Sequence, residues 1–83
     1  MATRQIKRED LKKSALVKDF KGNYYWTIGI AKDTETEKDL VIYRPHNSLD
    51  LLYARPLDMF LSKVDRVKYP DAHQEYRFEL VTE

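Results

Sequence analysis

The chain has 83 residues, 15 basic and 14 acidic side chains, two histidines and no cysteine. A chain this short forms one small domain and buries only a little over about 60% of its unfolded surface, so few large apolar residues are spare for an enclosed active site. The lack of cysteine excludes disulfides, thiolate zinc sites, iron–sulfur clusters and cysteine nucleophiles. No apolar run approaches the roughly 20 residues that span a bilayer, so a soluble, cytoplasmic protein is expected, with no membrane partner.

Charge is unevenly distributed. Residues 1–21 carry seven basic and three acidic groups, a net +4, and the remaining 62 residues carry −3. The N-terminal zone 1–15 is polar, with Ile6, Leu11 and Ala15 as its only aliphatic points beyond the start. It reads as a helical or mobile arm packed weakly on the single β-rich domain 16–83, and its Arg4, Lys7, Arg8, Lys12 and Lys13 offer electrostatic help to a ligand.

Short strands follow. Leu16–Phe20 is the first, closed by the turn residues Lys21-Gly22-Asn23. Tyr24–Ala31 alternates, and its larger side chains (Tyr24, Trp26, Ile28 and Ile30) are assigned to the core against Tyr25, Thr27, Gly29 and Ala31. Gly29 within that strand suggests a bend or bulge. The polar run Lys32–Asp39 is an exposed connection. Leu40–Tyr43, apolar on both faces, is a central strand that stops at Arg44-Pro45. Leu51–Arg55 is a fourth strand halted at Pro56. Pro56–Phe60 is one helical turn, with proline near its start and Leu57 and Phe60 facing the core. Leu61–Val67 and Tyr76–Val81 complete six strands. The fold class is all-β or β-dominated: a small bent antiparallel sheet or an SH3-like barrel, with one short helical turn and the N-terminal arm.

Four pieces of sequence carry a resemblance. Phe20-Lys21-Gly22-Asn23-Tyr24-Tyr25 comes first. Glu35-Thr36 with Leu40-Val41-Ile42-Tyr43-Arg44 follows, then Arg55-Pro56-Leu57-Asp58-Met59-Phe60 and Arg77-Phe78-Glu79. In this order they resemble a small bacterial family, domain of unknown function 1653, over roughly Val17 to Leu80. The resemblance implies one small β-rich domain and supplies no catalytic residues. The chain differs from the pattern at Lys32, where histidine is common, and at Tyr53, where tryptophan is common.

Catalytic and metal chemistry find little support. His46 and His73 lie in separate polar loops without ligand-spaced neighbours, and a metal site needs three or four converging ligands. Asp33, Glu35, Glu37 and Asp39 have nothing apolar nearby to bury them and separate their pKa values. Ser14, Ser48 and Ser62 lack a glycine elbow, and two glycines cannot build a phosphate-cradling loop. No cofactor, metal or enzymatic activity is expected.

Arg44 and Arg55 each precede a proline, with Tyr43 and Tyr53 close by. The plainer reading pairs them with Glu35, Asp58 or Glu79 to fasten sheet edges. The alternative makes Tyr43, Arg44, Tyr53 and Arg55 one ligand-binding surface for an anion, a phosphate backbone or a carboxylate-bearing peptide. Tyr24, Trp26 and Phe78 are assigned to the core, and Tyr25, Tyr43 and Tyr53 to the surface. The sequence therefore suggests a non-catalytic binding module with a protein or peptide partner or self-association. Single-stranded nucleic acid is the other candidate, weakened by a net charge of only +1.

Overall fold

In the computed structural model, which describes residues 2–82, the aromatic and β-branched run Tyr24–Lys32 is the longest of six strands. In chain order they are β1 (Ala2–Gln5), β2 (Leu16–Asp19), β3 (Tyr24–Lys32), β4 (Asp39–Pro45), β5 (Tyr53–Pro56) and β6 (Phe78–Thr82). A 3-10 turn at Arg8–Lys12 and one α-helical turn, α1 (Leu57–Phe60), complete the fold. All strands pair antiparallel in one sheet of order β1-β6-β2-β3-β4-β5. The sheet is bent but open. Its edges are β1 and β5, so of the two expected forms the bent sheet is found and the barrel does not close.

The N-terminal segment corrects the expectation of a weakly packed arm. Ala2–Gln5 pairs with β6 in the register Ala2↔Thr82 to Gln5↔Glu79. Ile6 and Leu11 then enter the core, Leu11 at 0% exposure. The intervening turn is clipped by Asp10, whose carboxylate accepts from the Lys7 N–H at 2.8 Å and from both terminal nitrogens of Arg4 at 2.9 and 3.0 Å. Two apolar residues in a polar segment are too sparse for a helical stripe. The stabilising ladder comes from the other end of the chain, which no local pattern reports.

Gly29 does mark a bulge, and the bulge inverts the expected faces of β3 ahead of it, while Ile30 beyond it faces the core as expected. Thr27 pairs with Tyr43 but Gly29 pairs with Ile42, leaving Ile28 as the extra residue, 49% exposed. Before it Tyr25 and Thr27 face inward; after it Ile30 does. One inserted residue reverses the parity of everything beyond it. Tyr24 and Trp26 are consequently half-buried on the outer face. Thr27 is fully buried, and its hydroxyl accepts the Ala15 N–H at 2.9 Å.

At the far end of the sheet α1 behaves as expected. Phe60 is fully buried and stacks on Phe78 with ring centroids 4.2 Å apart, while Leu57 packs beside it. The expected strand Leu61–Val67 does not form; a single bridge, Lys63↔Tyr76, represents it. That run has no continuous apolar face: Val64 is buried and Val67 points to solvent. Asp65 instead organises a turn, accepting from the N–H groups of Val67 and Lys68 at 3.0 and 3.3 Å. The core is closed by Ile6, Leu11, Val17, Val41, Tyr43, Phe60 and Phe78.

Candidate ligand-binding site

The inner face of the sheet changes character along its strands. Val17 and Val41 are sealed in the core. Two residues on along β2 and β4 come Asp19 and Tyr43, and on β5 Arg55 and Tyr53 stand opposite Val41 and Tyr43; with Tyr25 and the segment Asp65–Tyr69 they gather on one side of that face. There they border an open hollow of about 560 Å³ that also takes in Phe20, Lys21, Asn23, Arg77 and Phe78. This size falls within the roughly 300–1,000 Å³ of small-molecule and side-chain pockets.

Aromatic rings make the floor. Tyr25, Tyr43 and Phe78 contact one another edge-to-face at 5.4 to 5.8 Å, and Tyr53 tilts against Tyr43 at 5.4 Å. The Arg55 guanidinium lies 5.6 Å from the centre of the Phe78 ring, and its Nε donates to the Tyr43 hydroxyl at 3.2 Å. On the opposite rim Tyr69 packs on Phe20, with Lys21 and Lys68 each about 5.5 Å from its centroid.

The charges on this wall do not cancel one another. Asp19, only 8% exposed, accepts from the N–H groups of Lys21 and Asn23, from the Asn23 side-chain amide and from the Tyr25 hydroxyl. Asp65 is committed to its own turn. Among the described residues neither acid forms an ion pair with Lys21, Arg55, Lys68 or Arg77, and the buried Nε of Arg77 has no hydrogen-bond partner. Burial, and after it the negative charge of Asp19, pushes the Tyr25 hydroxyl up to about 12. It therefore stays protonated and acts as a fixed donor. The arrangement suits an anionic group: four cations border one concavity whose two carboxylates are held by other donors.

The four residues expected to form one surface are divided by the pleat. Tyr43, Tyr53 and Arg55 meet in the hollow. Arg44, one residue on from Tyr43, projects from the opposite face beside Trp26 and donates to the carbonyls of Pro45 and Ser48 at 3.3 and 3.2 Å. It closes the loop after β4, and no guanidinium pair forms. Ion pairing of either arginine with Glu35, Asp58 or Glu79 is also not seen among the described residues. Tyr43 is 4% exposed and Tyr25 packs on the core, which corrects their assignment to the surface; Tyr53 is exposed as expected. The N-terminal cations lie elsewhere: Arg4 pairs with Asp10, Arg8 with Asp39, and Arg8 and Lys12 border a shallow groove on another part of the surface. Lys7 and Lys13 are exposed.

Sequence reasoning missed Asp19, Lys21, Tyr25, Lys68 and Arg77 as site residues. The signal for Asp19 and Lys21 was present in Asp19–Asn23, where an aspartate ahead of a Gly-Asn turn captures backbone N–H groups of that turn. Lys68 and Arg77 arrive through the tertiary fold.

Fold and site together define a small antiparallel β-sheet protein with a basic, tyrosine-lined hollow on its inner face. The chain belongs to the family described as protein of unknown function (DUF1653), whose model matches residues 16–80. No curated protein and no solved structure matches it. All four sequence pieces that carried the resemblance converge on the hollow, through Lys21 and Tyr25, Tyr43, Arg55, and Arg77 with Phe78.

Proposed function

We propose that this protein is a non-catalytic binding module of the cytoplasm whose hollow captures an anionic group carried by a protein or peptide partner. One observation carries the reading: Lys21, Arg55, Lys68 and Arg77 border a single concavity with no ion pairs of their own among the described residues, while Asp19 and Asp65 are engaged by backbone N–H groups. The Tyr43 and Tyr53 hydroxyls add neutral donors, the Tyr25 proton being committed to Asp19. A protonated Tyr25 and a hydrogen-bonded Asp19 make fixed recognition elements rather than an acid and base that exchange a proton. A composition without cysteine suits a reducing compartment.

A second reading has its own support. The exposed ring of Tyr53 beside Arg55 offers a stacking platform next to a cation, as in proteins that hold single-stranded nucleic acid. Salt separates the two, because contacts to several phosphates weaken steeply with ionic strength.

The test is an amide NMR titration of the isotope-labelled chain with inorganic phosphate and with a glutamate-rich peptide, at low and at physiological salt. Shifts at Lys21, Asn23, Tyr53, Arg55, Lys68 and Arg77 are expected for both. Shifts confined to Lys7–Lys13, or none at either salt, would overturn the assignment.

A further inference from the structure

We infer that the partner enters as an extended acidic segment that adds beside β5 as a seventh strand and places a Glu or Asp side chain over the hollow, next to Arg55. This deepens the reading of the hollow as an anion site and rests on it.

The first observation is the edge itself. β5 pairs with β4 on one side only. In an antiparallel ladder, pairs that exchange two hydrogen bonds alternate with pairs that exchange none. Leu40↔Pro56 must be of the second kind, since proline has no N–H; Val41↔Arg55 is then of the first kind and Ile42↔Ala54 of the second. The N–H and C=O of Ala54 therefore point away from β4, outward from the sheet. Ala54 is exposed, and its N–H has no partner among the described residues. Such an edge group is a template for one more strand.

The second observation is register. Tyr53 and Arg55 project into the hollow, with Ala54 on the other face between them. A strand laid along β5 must present every second side chain to the same face, beside these two residues. Its remaining side chains would lie next to Ala54 and Pro56, which are small and apolar. Just before β5, Leu51 and Leu52 are 43% and 61% exposed, giving the incoming strand an apolar shoulder.

Charge selects the occupant. A second copy of this chain pairing β5 to β5 would bring two Arg55 side chains to the same positive region, at a like-charge cost. An acidic strand instead meets the unpaired cations of the hollow. The other sheet edge, β1, contributes no residue to the hollow, so it has no equivalent selectivity.

The experiment uses the full chain and three probes: inorganic phosphate, a blocked octapeptide of alternating valine and glutamate, and the same peptide N-methylated on the amides of one edge or the other. Ala54→Pro removes the outward N–H where it makes no bond to β4. We expect Ala54→Pro to bind phosphate like the parent and the octapeptide at least about tenfold more weakly. Methylation of one peptide edge, but not the other, should cause a comparable loss in the unmodified protein, a result that does not depend on how well the variant folds. Equal octapeptide affinity for parent and Ala54→Pro, or indifference to methylation on either edge, would overturn strand addition while leaving phosphate binding in place. Failure of phosphate to shift the hollow's amides would instead remove the reading beneath it. Self-association through β5 in sedimentation, or an oligonucleotide bound more tightly than the octapeptide by both proteins, would also overturn the inference.

Discussion

The hydroxyl of Tyr25 donates to Oδ2 of Asp19 across 3.1 Å, tying β3 to β2 at the rim of the hollow. The bond joins the two halves of the site: the aromatic floor and the turn that holds Lys21 and Asn23. It also gives the fold a signature in alkaline solution.

The Tyr25 hydroxyl is pushed from the ordinary 10.0 up to about 12, first by burial and then by Asp19. An unfolded Tyr25 thus loses its proton before a folded one, and between those values the folded state binds the extra proton. Stability should be unaffected by this group below pH 10, decline as pH rises from 10 to about 12, and level off beyond. Urea unfolding across this range is the measurement. Tyr25→Phe should show a shallower alkaline decline than the parent, and identical profiles would contradict the assignment.

Asp10 gives the opposite sign. The Arg4 guanidinium, followed by the Lys7 N–H, holds its carboxyl below the usual carboxylate range. The contribution is therefore complete above the unfolded carboxylate value and is lost as pH falls through the depressed folded value. Asp10→Asn should unfold at lower urea than the parent at neutral pH. The two midpoints should converge in strong acid, where the parent carboxylate is protonated as well.

The two arginines should separate cleanly. Arg55→Ala removes a guanidinium from the hollow and leaves the core intact; phosphate affinity should fall about tenfold, the scale of one charge-assisted hydrogen bond, with little change in melting temperature. Arg44→Ala releases the carbonyls of Pro45 and Ser48, so it should perturb the amides of the loop after β4 and leave phosphate affinity unchanged. Titration and thermal melting of both variants check this. Equal losses of phosphate affinity would return Arg44 to the ligand surface.

Phe60→Ala tests what supports the floor. Phe60 is fully buried and stacks on Phe78, whose other contacts include Tyr43 and Arg55. The cavity and lost burial should cost about 3–5 kcal/mol, measured by denaturant unfolding. Phosphate binding should weaken with it as Phe78 and Arg55 lose their backing. A loss below about 1 kcal/mol would mean that the stack is peripheral.

Local chemistry, visible in sequence, accounts for the elements whose stabilising partners lie nearby. The β-branched and aromatic runs mark β2, β3 and β4, Gly29 marks the bulge, and Pro56–Phe60 marks the helical turn, because alternation, backbone freedom and a fixed proline φ act within a few residues. Tyr43, Tyr53 and Arg55 were legible as site residues for the same reason: aromatic and cationic groups beside strand-ending prolines. The rest depended on the assembled sheet. Ala2–Gln5 is a strand only because β6 offers its edge from the opposite end of the chain. Ile28 is extruded only because β4 pairs around it, and that extrusion decides that Tyr25 and Thr27, rather than Trp26, face inward. Arg44 and Arg55 look equivalent in sequence, yet the pleat sends them to opposite faces. Arg77 reaches the hollow through the register between β2 and β6, with Asp19 opposite Phe78. Composition and periodicity thus determined a small β-rich chain with tyrosines and arginines at its strand ends. Only the tertiary structure decided which of those side chains share a face, because strand parity depends on every residue between a bulge and its partner, and pairing across the whole chain has no local signal.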